Sequence, residues 1–110
     1  TSYDVWVIAG GDGSLTLKGG AVPTAGAASY PNTTVPGLPL DAFTRLELVV
    51  RYEAAKVTAE LLVAGASRAV IALPLVPPGS LRVAVGAPET GGTTKQGWTI
   101  RTDDVAIDWH

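Results

Sequence analysis

Apolar and polar positions alternate along much of this chain with a period of two, the pattern of half-buried β-strands. The strongest stretch is Leu46-Glu47-Leu48-Val49-Val50-Arg51-Tyr52-Glu53, with residues 46, 48, 50 and 52 on one face and Glu47, Val49, Arg51 and Glu53 on the other. Val57, Ala59, Leu61 and Val63 repeat the pattern against Thr58 and Glu60, and the short link 54–56 predicts an antiparallel hairpin. Ala, Glu, Lys and Leu between 53 and 62 also suit a helix. Val49, Val50 and Val57, flanking so short a turn, decide for strand. Earlier, residues 3–9 read as a strand ended by the Gly10-Gly11-Asp12-Gly13 turn, and 15–18 follow before Gly19-Gly20, which predicts a first hairpin. Later, residues 70–73, 81–86, 98–102 and 105–109 are strand-like. Gly65-Ala66-Ser67, the prolines at 74, 77 and 78, a polar loop over 88–97 and Asp103-Asp104 separate them.

Between 21 and 40, Pro23, Pro31, Pro36 and Pro39 interrupt every period. This predicts a long connection with little regular structure, packed over a sheet end. Recurring strands with no strong helix make the expected fold class all-β: an antiparallel two-sheet sandwich of seven to nine short strands.

The 110 residues fit a single domain, 1–110. Only 16% are charged, so much of the polar surface must come from Thr, Ser and backbone. The net charge of -2, with the arginines well separated, argues against a phosphate-binding surface and therefore against nucleic acid. No apolar run approaches the ~18 residues of a membrane-spanning helix, so no membrane insertion is expected. The absence of cysteine excludes disulfides and thiolate metal sites.

Catalytic chemistry finds little support. His110 is the one histidine and is terminal, which disfavours a Ser-His-Asp arrangement. Gly10-Gly11-Asp12-Gly13 lacks the Lys-Ser/Thr and following helix of a phosphate loop. Glu47 and Glu53 share a strand, but Arg51 between them reads as surface ion pairing. Thr1 would be a nucleophile only as a processed terminus. Asn32-Thr33-Thr34 matches an N-glycosylation acceptor.

Two groups remain as candidate sites. Asp103, Asp104 and Asp108 are the densest acids, and calcium takes several oxygen ligands at once. Alternation puts Asp103 on the opposite face from Asp104 and Asp108, and turn acids capping backbone amides are the plainer reading. No metal or other cofactor is therefore expected, with Asp103 and Asp104 as weak calcium candidates. Saccharide surfaces use flat exposed rings beside amides and acids. Trp98, which follows the polar loop and sits near Gln96 and Thr94, is the best such ring, and Tyr30 is a second; an indole between the sheets is the plainer reading of Trp98. Trp109 shares a face with Val105 and Ile107 and reads as core. The strand carrying Trp6 is apolar on both faces, as a strand covered on both sides would be.

The last third of the chain resembles the end of a concanavalin A-like, laminin-G-like jelly roll. There a strand reading "l-x-i-x-v-G" precedes a closing strand reading "i-D-D-v-x-i", and Val85-Gly86 and Asp103-Asp104-Val105 stand in those places. The hairpin over 43–63 is similar to the middle strands, with Val63-Ala64-Gly65 where the superfamily has "v-D-G". The likeness spans 43–109. It implies a jelly-roll-like sandwich from a secreted or cell-surface protein, with calcium in some members. Complete domains of that kind run longer, so the chain is expected to be an excised or processed part of a longer protein. The glucanase branch carries Glu-x-Asp-x-x-Glu, which is absent here, leaving a glycan hydrolase fragment as the weakest reading.

The leading expectation is a non-catalytic binding or adhesion module, with carbohydrate as ligand. The rival is a structural or assembly domain that meets a protein partner, or itself, through an exposed edge or apolar face. The low charge fraction and the doublets Val49-Val50 and Leu61-Leu62 favour the rival.

Overall fold

The computed structural model describes residues 2–10, 12–22, 25–27, 29–39, 41–74 and 106. The chain divides into two compact units, Thr1–Ser80 and Leu81–His110. Six strands lie in the first: β1 Ser2–Ala9, β2 Leu15–Val22, β3 Asn32–Val35, β4 Leu46–Tyr52, β5 Val57–Val63 and β6 Ala66–Leu73. In the second only Ala106 is described; it is exposed and carries no regular structure. The strand-like stretches 81–86, 98–102 and the rest of 105–109 lie outside the described residues.

The fold is all-β, with two three-stranded antiparallel sheets, β1-β2-β3 and β4-β5-β6, in sandwich-like contact. β2 and β3 pack on β6, and β2 also reaches β5. Leu15 and Leu17 point inward from β2, Val57, Ala59, Leu61 and Val63 from β5, and Ala69, Ile71 and Leu73 from β6. These residues form the buried core, and Val5, Val7, Val35, Leu38 and Val50 pack at its margin. Every second residue of β5 is buried, as a central strand requires. Residues 57–63 are thus strand, and the competing helical propensity is overridden by ladder pairing on both sides.

Gly19 is the close-approach point between the layers. A Cβ there would stand 3.2 Å from Leu73 Cδ2 and 3.2 Å from Val5 Cγ2. β2 therefore runs on through Gly19-Gly20, where the sequence suggested that it stopped.

Three other expectations need correction. Residues 21–40 contain a strand, β3, because Asn32 to Val35 pair with Lys18 to Leu15 between two prolines that leave the ladder intact. β6 begins at Ala66, so the turn after β5 has two residues, not three. Arg51 pairs with Glu60 on the neighbouring strand, while Glu47 meets Arg45 at 3.1 Å and Glu53 meets Lys56 at 3.4 Å.

That two-residue turn is strained. Ala64 has φ 51° and Gly65 φ 81°, the positive pair of a type I′ hairpin. Glycine adopts this freely, whereas alanine loses ~1–2 kcal/mol in the left-handed region. Ala64→Asn is expected to stabilise the chain by about 1 kcal/mol, measured as a raised denaturant midpoint at constant slope.

An irregularity on β6 links the layers. Leu61 pairs with Ala69 and Leu62 with Ser67, so Arg68 is the extra residue of a β-bulge. Its Nη2 donates to the Pro36 carbonyl at 2.9 Å, tying β6 to the end of β3.

The carboxylate of Glu60 accepts from the Ser67 hydroxyl and the Arg51 guanidinium, and both hold its pKa below the usual glutamate value of 4.5. The folded state therefore favours the ionised form, and this contribution is complete above pH 4.5 and fades as pH falls through the lowered value. Acidification from pH 5 towards 3 is expected to lower the denaturation midpoint. Glu60→Gln should flatten that dependence; an unchanged slope would remove Glu60 from the account.

Candidate functional site

The outer face of the β1-β2-β3 sheet gathers aromatic, cationic and hydroxyl groups in register. Paired residues on neighbouring strands share a face. Trp6 pairs with Lys18 and Lys18 with Asn32, forming one row; Ile8, Thr16 and Thr34 form the next; Asp4 and Gly20 form the third. The same offset places Tyr30, just before β3, opposite Gly20.

Gly20 makes the arrangement possible. It has no side chain, so the Ser29 carbonyl and the Tyr30 ring come directly against its Cα; a Cβ would lie 3.0 Å from Tyr30 Cδ1. The backbone is held there by Gly19 N–H donating to the Pro31 carbonyl at 3.1 Å. Tyr30 then reaches Trp6 edge-on, with ring centroids 5.2 Å apart and planes at 62°. The Lys18 ammonium stands 5.7 Å from the Trp6 centroid and 5.4 Å from that of Tyr30, within cation–π range of both. Lys18 makes no ion pair among the described residues. One row away, the hydroxyls of Thr16 and Thr34 are hydrogen-bonded at 2.8 Å.

Trp6, Lys18 and Tyr30 are half-buried, whereas Asn32 and Thr34 are exposed and Ile8 is 48% exposed. Trp6 is thus covered on its outer side by one tyrosine and one lysine, and Val5 and Val7 on the other side meet the core. Chemically, the patch offers aromatic C–H and π surface, one ammonium, one carboxamide, two threonine hydroxyls, the Tyr30 phenol and the Asp4 carboxylate.

Of the residues singled out in the sequence, Tyr30 belongs to this cluster. Trp98, Gln96 and Thr94 lie outside the described residues, as do Asp103 and Asp104. Among the described residues no three metal-ligating side chains converge, and no helix is long and apolar enough to cross a membrane. Lys18 was missed because a lone lysine ending a short strand has no motif. The signal for it was positional: Lys18 stands directly across a hairpin from Trp6. No protein family matches the chain, and comparison with curated proteins and solved structures returned no match.

Proposed function

We propose that this chain is a non-catalytic binding or adhesion module and that the outer face of β1-β2-β3 takes carbohydrate. The observation that carries the reading is the Trp6–Tyr30–Lys18 cluster beside Asn32, Thr16 and Thr34. A pyranose presents an apolar C–H face and a rim of hydroxyls. An aromatic π face suits the first, and an ammonium, a carboxamide and paired hydroxyls suit the second. The ammonium also favours a sugar bearing a carboxylate or sulfate.

The proposal includes a secreted or cell-surface setting and a jelly-roll-like sandwich of seven to nine strands. The apolar alternation of 81–86 and 98–102 and the likeness to concanavalin A-like domains support that part; 105–109 does not add to it, because Ala106 carries no regular structure. Trp98, Gln96 and Thr94 are proposed separately as carbohydrate contacts, on the sequence alone.

The test is calorimetry of the whole chain against neutral and acidic oligosaccharides. Lys18→Ala is expected to weaken binding of an acidic glycan at least tenfold, a loss of about 1.4 kcal/mol, with the far-ultraviolet dichroism unchanged. Trp6→Ala should weaken both glycan classes. A panel with no binder at millimolar concentration would end the carbohydrate reading.

A further inference from the structure

One residue of the aromatic face is also a potential point of attachment. Asn32-Thr33-Thr34 has the Asn-x-Thr spacing that an oligosaccharyl transferase reads, with a residue other than proline in the middle. The register puts Asn32 and Thr34 on the face that carries Trp6, Lys18 and Tyr30. Asn32 pairs with Lys18 and Lys18 with Trp6, while Thr34 pairs with Thr16. Asn32, Thr33 and Thr34 are all exposed.

The residue two places before the acceptor is Tyr30. Gly19 N–H donates to the Pro31 carbonyl at 3.1 Å, so the ladder that pairs Lys18 with Asn32 runs one step further. Proline has no N–H to return that bond, and β3 starts at Asn32. In an extended segment, residues two apart share a face at about 7 Å. The Tyr30 ring therefore flanks Asn32 along the chain, and Trp6 backs the ring with centroids 5.2 Å apart. A sugar joined to Asn32 Nδ2 and folded towards Tyr30 lays its C–H face on a ring that is already held in place.

We propose that Asn32 carries an N-linked glycan whose first sugar seats on Tyr30 beside Trp6, so that the carbohydrate of this face is attached to the chain itself. In the transfer, Asn32 Nδ2 displaces the pyrophosphate of a polyprenyl-pyrophosphate oligosaccharide. The sugar C1–O bond breaks and its electron pair leaves with the pyrophosphate; a C1–N bond forms, and the amide nitrogen gives one proton to a base of the transferase. The fold also orders the steps. The Thr34 hydroxyl that the transferase reads is bonded to that of Thr16 at 2.8 Å, and all four residues of β3 are paired with β2. Transfer therefore precedes the pairing of β3. The proposal rests on the carbohydrate reading of this face and on its secreted setting.

The full chain, secreted from a eukaryotic host, tests it. Mass spectrometry of the peptide that holds Asn32 is expected to show a glycan, absent from Asn32→Gln. Chain folded without glycan should stay unmodified when given transferase and donor; equal modification of folded and unfolded chain would overturn the order of steps. Trimmed by an endoglycosidase to its first sugar, the glycoform is expected to melt about 4 °C above Asn32→Gln, the shift that one aromatic contact makes in a domain of this size. On Tyr30→Ala that gain should vanish. If Tyr30→Ala is not folded, Tyr30→Leu keeps bulk and removes the ring. A bare Asn32, or a gain indifferent to Tyr30, overturns the proposal. Calorimetry of the unglycosylated chain keeps the two readings apart. Binding of free oligosaccharide while Asn32 stays bare sinks this proposal and leaves the carbohydrate reading standing. No binding, with a Tyr30-dependent gain from the attached sugar, supports this proposal and ends the reading of the face as a site for free glycan.

Discussion

Leu61→Ala is expected to remove about 3 kcal/mol from the free energy of unfolding, within the 2–5 kcal/mol usual for buried leucine. Leu61 is fully buried on the central strand of its sheet. Leu48 on β4 and Ala69 on β6 flank it in the same row, and both are fixed by ladder hydrogen bonds. The site cannot collapse around a deleted side chain, so the cavity persists and adds its own cost. Stability of a domain this size is usually ~5–15 kcal/mol, so the loss is a large fraction of the total. Leu48→Ala is the control. It has the same chemistry and the same row, but Leu48 is 42% exposed, and the expected cost is about 1 kcal/mol. Denaturant titration of both variants measures the contrast; equal costs would mean that β4's core-side face is as well covered as β5's.

That contrast marks where sequence reading succeeds and where it stops. The alternation over 46–52 correctly puts Leu46, Leu48 and Val50 on the face that carries Leu61 and Val63. It cannot say how far the opposing sheet extends. Among the described strands β2 and β3 cover β6 and part of β5, and Leu46 and Leu48 on β4 stay 40% and 42% exposed, so a correct face assignment did not make a buried residue. β3 was illegible for another reason. Four residues between Pro31 and Pro36 are too few for a period, and only the β-branched run Thr33-Thr34-Val35 hints at a strand. The functional cluster was half legible. Tyr30 could be picked as an aromatic in a polar stretch, and Trp6 as a ring on an apolar strand. Their meeting depends on a register running through Gly20, which the sequence presents as a stop.

Gly20→Ala is therefore expected to damage stability and site together. The φ of Gly20 lies outside the left-handed region, so backbone strain is not the cause. The added methyl runs into the Ser29 carbonyl, a backbone atom that cannot rotate aside, and crowds Tyr30 Cδ1. Residues 29–31 must move off β2, which strains the Gly19–Pro31 hydrogen bond and pulls the Tyr30 ring away from Trp6. Overpacking of this kind costs ~1–3 kcal/mol, and the backbone character of the clash places the expected value near the top, about 3 kcal/mol. Gly19→Ala separates the two effects. Its Cβ would stand 3.2 Å from Leu73 and Val5 side-chain atoms and 3.0 Å from the Asp4 carbonyl, on the core side of the same strand. That variant should lose stability by wedging the sheets apart, yet keep the near-ultraviolet dichroism of the Trp6–Tyr30 pair and its affinity for glycan. Gly20→Ala should lose stability, the aromatic signal and the affinity at once. If both variants lose glycan binding in proportion to stability alone, the outer face has no special role and the Trp6–Tyr30–Lys18 cluster is only the packing of a sheet surface.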